Sequence, residues 1–274
     1  MGILIVAGTL LSSGILLIIA LLKGIAISEL ILSINGLVSY LLPFIPVVIF
    51  LHFIGNYSAK VSGRKEPINR PDIGGANPLF FISAIFMLTF STGFLIDPLS
   101  LLIQVPDNLK AALETQLNSV SGIVAIAVAA PLCEEFLIRG IMTRGMLTHY
   151  KPAKAIIWGA FFFALIHMNL WQGVSAFIIG VLLGWIYYKT HSIWTVVFIH
   201  FINNGSSALL YNLFPNNGMD ISYIKIMPTE LYIICYIAAI MLTAALIFYL
   251  QKTLPKKNLF ATVPKLQIEN TDNY

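Results

Sequence analysis

Long apolar runs separated by short polar connections dominate this chain. Many runs approach the ~20 residues that a helix needs to cross a bilayer. Eight spans are predicted, at residues 2–22, 30–53, 78–96, 119–139, 155–170, 172–188, 192–212 and 229–250. The fifth and sixth are short, so we expect them to be tilted or shielded by neighbouring helices. The pattern therefore predicts an all-α fold, a polytopic membrane helix bundle with about eight transmembrane helices.

Three of the apolar runs contain polar or aromatic residues at helical spacing. Inserting a carboxylate into the middle of a membrane helix costs roughly 2–3 kcal/mol, even on the insertion scales that give the lowest values. Such a residue is therefore expected to have a partner or a functional role. The residues are Glu134 and Glu135 with Arg139, Phe163 with His167, and His200 with Asn204. We interpret the three groups as one buried polar active site.

Helix geometry assigns different roles to the two glutamates. Glu135 and Arg139 are four residues apart, the spacing at which a helical ion pair forms. Glu134 is rotated by about 100° from Glu135 and points elsewhere. Pro131, one turn earlier, lacks an N–H group and can open the helix beside the site. We therefore expect Glu135 and Arg139 to be structural and Glu134 to be available for chemistry.

The three groups are predicted to lie at similar depth. At 1.5 Å per residue from the nearest cytoplasmic cation, Glu134 lies ~15 Å deep, His167 ~20 Å and His200 ~16 Å. All three fall near the middle of a ~30 Å hydrocarbon core. Glu134, His167 and His200 could therefore bind a catalytic zinc, or the glutamate could activate water directly. The Asn204 amide is suited to stabilising an oxyanion, so the set predicts amide hydrolysis.

Composition and charge agree with a membrane location. Only 10% of the 274 residues are charged, against ~25% in soluble domains. With both termini cytoplasmic, twelve lysines and arginines fall in cytoplasmic segments and three on the opposite side. The net charge of +4 follows from this asymmetry and does not indicate nucleic-acid binding. Residues 1–22 are predicted to be an uncleaved span, because they lack the basic start of a signal peptide.

The remaining cysteines and histidines are interpreted as packing residues. Cys133 and Cys235 both fall in predicted spans and offer no disulfide framework. A thiol nucleophile at Cys133, with His167 or His200 as its base, is an alternative that no spacing requires. The histidines placed in the packing class are His52, His149 and His191.

The ordered motifs resemble those of a known family. Ala130–Gly140 is similar to the EExxxR motif of the CAAX protease and bacteriocin-processing (CPBP) family of intramembrane endopeptidases. Phe163–His167 resembles its FxxxH motif, and His200–Asn204 resembles its HxxxN motif. The similarity covers roughly residues 120–210. Ile138 stands where family members often carry Phe, and we expect little consequence because the position stays apolar.

The resemblance implies roles for the site residues. Glu134 would activate the attacking water with His167, while His200 and Asn204 would stabilise the oxyanion or, for His200, hold a metal. The cofactor would be zinc or none. The residues implied to be supporting are Glu135, Arg139 and Phe163.

The resulting hypothesis is an intramembrane endopeptidase that cleaves a membrane-associated peptide or protein. The alternatives are a non-catalytic peptide-binding or bacteriocin-immunity protein, and a transporter, although no repeat symmetry supports the latter. Three regions are predicted: N-terminal helices at 1–118, a catalytic core at 119–212, and a last helix with a cytoplasmic tail at 213–274. We expect a multi-pass protein of a bacterial cell membrane whose partners are its substrate and the bilayer.

Overall fold

The described part of the chain is a continuous helical unit. The structure, a computed structural model, describes residues 69–255 together with positions 18, 19, 21, 22, 24, 41, 44 and 45. The predicted spans 2–22 and 30–53 lie outside the described residues, except at those eight positions.

Eight α-helices, numbered in chain order, are present between residues 69 and 255, and this stretch contains no β-strand. They are α1 (Pro78–Ile96), α2 (Asp107–Leu117), α3 (Val120–His149), α4 (Pro152–Leu165), α5 (Leu170–Thr190), α6 (Ile193–Leu213), α7 (Tyr223–Ile226) and α8 (Thr229–Thr253). Short 3₁₀ helices follow α1 at Asp97–Leu101 and α6 at Pro215–Asp220.

Five helices of the described part are long and apolar enough to cross a membrane: α1 with its 3₁₀ extension, α3, α5, α6 and α8. Helix α4 is apolar but has only 14 residues. Each span predicted beyond residue 77 corresponds to one of these six helices. The prediction of a polytopic helical membrane bundle is confirmed.

Two predicted helix ends differ from the observed α-helix ends by five residues or more. Helix α3 continues ten residues beyond the predicted end at 139, to His149. Hydropathy ends the span at Arg139 because it cannot detect that this cation is fully buried. Helix α4 ends at Leu165, before the predicted end at 170. The chain turns there through Met168, whose backbone has a φ of 55°.

Short polar side chains begin the two helices that follow this turn. Asn169 Oδ1 accepts a hydrogen bond from the Gln172 N–H at 2.8 Å at the start of α5. Ser192 Oγ accepts one from the Thr195 N–H at 3.2 Å at the start of α6. Between these helices lies buried His191, in a left-handed conformation with a φ of 50°. Burial lowers the pKa of His191, and the Asp72 carboxylate opposes that shift.

Glycines bring α4 close to its neighbours. A Cβ at Gly180 would lie 3.1 Å from Ala160, and one at Gly184 would lie 3.1 Å from Ile156 Cγ2. On the other side of α4, a Cβ at Gly159 would overlap Thr143 Oγ1 of α3. Close backbone approach through small residues is how helices associate in lipid. These contacts fix α4, which carries Phe163, between α3 and α5.

We predict that Gly159→Ala destabilises the protein, because the added methyl group meets the fully buried Thr143 side chain. Overpacking of this kind costs about 1–3 kcal/mol. Thermal unfolding in detergent should show a lower Tm, which Thr143→Ala partly restores in the same chain. Gly93→Ala is the matched control, since its Cβ meets open space. Equal Tm values for the Gly159 and Gly93 variants would contradict this packing.

Candidate active site

Helix α3 departs from α-helical geometry on both sides of the glutamates. The segment Ala130–Glu135 is α-helical, whereas Ala125–Ala129 and Phe136–Thr143 are π-helical. π-Helical turns are rare and are found frequently at functional sites. The first of them immediately precedes Ala130-Pro131, the place at which the sequence predicts a departure from regular helix.

Glu135 joins two helices at the centre of the site. Its Oε1 accepts a hydrogen bond from Arg139 Nη1 at 2.8 Å and another from His200 Nδ1 at 2.8 Å. Glu135 and Arg139 are both fully buried. The predicted ion pair within α3 is confirmed. The bond to His200 of α6 was not predicted, because residues 65 apart have no spacing that relates them.

Arg139 connects the same carboxylate to α4 and α5. Its Nη2 donates a hydrogen bond to the Gly180 carbonyl of α5 at 3.0 Å. Its guanidinium lies over the Phe163 ring of α4, with 4.5 Å between Cζ and the ring centroid. A cation over a ring face is favoured, and more so without water. Arg139 is therefore held by three helices, including its own.

Phe163 brings both candidate histidines to one place. Its ring contacts His167 edge to face at 5.2 Å and His200 in the same manner at 5.4 Å between centroids. The ring itself is only 2% exposed. The supporting role predicted for Phe163 thus has a geometric basis, since the ring packs against both imidazoles.

Glu134 faces the other nitrogen of the His200 ring. Its Oε2 lies 3.8 Å from His200 Nε2, and its side chain is 13% exposed. His200 therefore has a glutamate near each ring nitrogen: Glu135 at Nδ1 and Glu134 at Nε2. The structure thus brings Glu134 and His200 together, as the sequence predicted.

The partner of each imidazole determines which ring nitrogen carries hydrogen. His167 Nδ1 lies 2.9 Å from the Phe163 carbonyl, which can only accept. Nδ1 therefore carries the hydrogen, and in the neutral ring Nε2 keeps its lone pair. The same argument gives His200 a hydrogen on Nδ1, because the ionised carboxylate of Glu135 accepts there.

Asn204 contacts α3 one turn further along α6. Its Nδ2 donates to the Ile126 carbonyl at 3.0 Å, and its Oδ1 accepts from Asn203 Nδ2 at 3.2 Å. Asn203 was not singled out from the sequence, because an amide next to another on a helix gives no functional signal. Asn204 and His200 thus form two polar contacts between α6 and α3.

The carboxylates and imidazoles of the site are the candidate ligands of a metal ion. No group of three or more His, Cys, Asp or Glu side chains within the described residues is arranged to hold one. Glu134 and His200 form a pair, whereas catalytic zinc takes three protein ligands. The residues in this arrangement do not fit the three-ligand set, and the zinc site stays a prediction.

The other histidines and the two cysteines are interpreted from the sequence as packing residues. His149 is exposed at the end of α3, and His191 is buried between α5 and α6. His52 lies outside the described residues. Cys133 and Cys235 are free and partly buried.

We predict that Arg139→Ala lowers stability as well as any activity, because it leaves the buried Glu135 carboxylate without its cation. Breaking one partner of a buried ion pair costs about 3–5 kcal/mol. Lys154→Ala is the control, since this lysine is exposed and only touches the Tyr150 ring. Thermal unfolding in detergent should lower the Tm strongly for the first variant and little for the second. Equal Tm values would exclude the supporting role.

The three motifs fall within one known family segment. The family model described as Rce1-like, type II CAAX prenyl endopeptidase Rce1-like, matches residues 116–206. Searches among curated proteins and among solved structures gave no match. The matched segment includes the glutamates and Arg139 of α3, His167 after α4, and His200 with Asn204 on α6. The resemblance seen in the motifs is confirmed, and residues 116–206 of this integral membrane protein are similar to the family of type II CAAX prenyl endopeptidases.

Proposed function

We propose that the protein is an intramembrane endopeptidase that hydrolyses a peptide bond of a membrane-associated peptide or protein. The observation that carries the proposal is the pairing of Glu134 Oε2 with His200 Nε2 at 3.8 Å, beside a second, fully buried glutamate. A carboxylate and an imidazole facing each other provide a proton acceptor and a hydrogen-bond donor for one reacting group. The family match to a CAAX-type protease supports the same reaction.

Glu134 is the candidate base that activates water. Its side chain is 13% exposed, whereas Glu135 is fully buried and already accepts two hydrogen bonds. A positioned carboxylate can take a proton from water as it attacks a carbonyl carbon. His167 adds a second acceptor, because its Nδ1 hydrogen is bound to the Phe163 carbonyl and its Nε2 keeps a lone pair.

His200 is the candidate donor to the oxyanion. With Nδ1–H bound to Glu135, the ring directs Nε2 to the side of Glu134, and a second hydrogen there would be available to the oxyanion. A positive charge on the ring then faces the Glu135 carboxylate, which compensates it. Preorganised donors of this kind stabilise the charge that develops on the carbonyl oxygen. Asn204, four residues further along α6, supplies an amide to the same role.

The reaction balances with these residues alone. Water oxygen bonds to the carbonyl carbon while Glu134 takes one proton, and the carbonyl oxygen becomes an oxyanion held by His200 and Asn204. The C–N bond then breaks as the oxyanion re-forms the carbonyl. The departing amine receives the proton held by Glu134, which leaves a carboxylic acid, an amine and the enzyme unchanged.

We predict that Glu134→Gln abolishes cleavage without unfolding the protein. The amide cannot accept the proton from water, and loss of a general base lowers the rate about 10²–10⁴-fold. His167→Ala and His200→Ala should also abolish cleavage, and the exposed His149→Ala is the matched control. The measurement is cleavage of a peptide library presented in detergent or vesicles, with Tm values recorded for each variant. Full activity of folded Glu134→Ala would refute the proposal.

Metal removal separates the direct mechanism from the zinc alternative. For water activated by Glu134 and His167 alone, we predict that exhaustive dialysis against a chelator leaves the cleavage rate unchanged. Elemental analysis of the same protein checks that no zinc is retained. Loss of activity on dialysis, restored by stoichiometric zinc, would contradict the direct mechanism and favour a metal held by Glu134, His167 and His200.

A further inference from the structure

We propose that Pro131 is a positioning residue for Asn204, and that it acts by withholding a backbone N–H group from the Ile126 carbonyl. The consequence for catalysis rests on the proposed function, whereas the contact itself does not.

The first step is the register of the π-helical turn. The Ala130 N–H donates to the Ala125 carbonyl, five residues back, as π-helical geometry requires. The next bond of this series would join the N–H of residue 131 to the Ile126 carbonyl. Residue 131 is proline and has no N–H. The Ile126 carbonyl therefore lacks the backbone donor that continuation of the turn would provide.

The Ile126 carbonyl accepts a hydrogen bond from a side chain of another helix. Asn204 Nδ2 donates to Ile126 O at 3.0 Å, across 78 residues of sequence. An unsatisfied carbonyl in the hydrocarbon region costs several kcal/mol, so such a group is satisfied by a neighbouring side chain. Pro131 is itself buried, which leaves the turn no room to relax into solvent.

The third step is the orientation of the amide. A carbonyl oxygen only accepts, so the atom of Asn204 that faces Ile126 must be Nδ2. Asn203 Nδ2 donates to the opposite end of the group, Asn204 Oδ1, at 3.2 Å. Both contacts require the same orientation. One hydrogen of Nδ2 is then used by Ile126, and the other has a fixed direction from which it can reach an oxyanion.

An alternative is that Pro131 acts only through its ring, by fixing the shape of α3. In the first explanation the absent backbone N–H of residue 131 is essential, whereas in the second the proline ring is essential. If the missing N–H is essential, alanine at 131 restores the competing donor, whereas lactic acid at 131 provides an ester oxygen and no N–H. The lactic acid variant therefore keeps the property that we assign to proline while losing the ring.

The first experiment compares Pro131→Ala with lactic acid at position 131, the latter introduced by nonsense suppression in cell-free translation. Cleavage of a peptide substrate gives kcat and KM. For Pro131→Ala we expect kcat to fall about tenfold to hundredfold with KM nearly unchanged, as misplacement of a catalytic group does. The lactic acid variant should stay within a few-fold of the parent protein. Equal losses in both variants would overturn the proposal.

The second experiment needs no activity and therefore separates this inference from the proposed function. In Asn204→Ala the Ile126 carbonyl loses its donor, so the Tm should fall. Adding Pro131→Ala to that variant supplies an N–H and should raise the Tm again, whereas lactic acid at 131 should not. A double variant no more stable than Asn204→Ala would overturn the proposal, even if the protein cleaved every substrate as expected.

A variant of α6 provides a separate test if Pro131→Ala does not fold. Asn203→Ala removes the contact that orients the Asn204 amide but leaves Pro131 intact. We expect a loss of kcat smaller than that of Asn204→Ala, with KM unchanged. Ser207→Ala is the matched control, because this exposed hydroxyl only bonds the Asn203 carbonyl of its own helix. Because the Ile126 carbonyl still faces Nδ2 in this variant, parent-like kcat would overturn the role of the Asn203 contact in holding the Asn204 amide.

Discussion

The carboxylate of Glu135 is the group on which the rest of the site depends. It is fully buried, and one of its oxygens holds both Arg139 of its own helix and His200 of α6. A lone carboxylate in lipid would be unfavourable, so the cation and the imidazole have to lie where they do. Arg139 extends the constraint to α4 through Phe163 and to α5 through the Gly180 carbonyl. One buried charge thus sets the relative positions of four helices.

This arrangement separates the two adjacent glutamates by function. Glu135 uses one oxygen, Oε1, to hold both Arg139 and His200, while the side chain of Glu134 is 13% exposed. The separation follows from the 3.6-residue period, which turns neighbouring side chains in different directions. The two π-helical turns on either side of Ala130–Glu135 then fix this short segment relative to α6. Local helix geometry therefore determines which glutamate pairs with Arg139 and which faces His200 Nε2.

Much of this was predictable from sequence, because the informative spacings lie within single helices. The Glu135–Arg139 pair, the Phe163–His167 contact and the helical membrane fold all follow from periodicity and hydropathy. Contacts between helices were not predictable in the same way: neither the bond from His200 to Glu135 nor that from Asn204 to Ile126 has a sequence spacing. The ends of α3 and α4 were misplaced because hydropathy does not register a buried arginine or a turn inside the apolar region. Sequence spacing therefore predicts contacts within one helix, whereas contacts between helices are known only from the fold.

The short helix α4 has a consequence for the surrounding lipid. Its 14 residues extend about 21 Å, less than a ~30 Å hydrocarbon core. At the predicted depth of ~20 Å for His167, the turn through His167 and Asn169 would bring backbone polar groups and an imidazole into the acyl-chain layer. Such a deficit is accommodated by local thinning of the bilayer or by entry of water, and its cost grows with membrane thickness. The thickness of the host membrane would thus affect how readily water reaches His167. In a thicker bilayer, the cost of hydrating this turn would be higher.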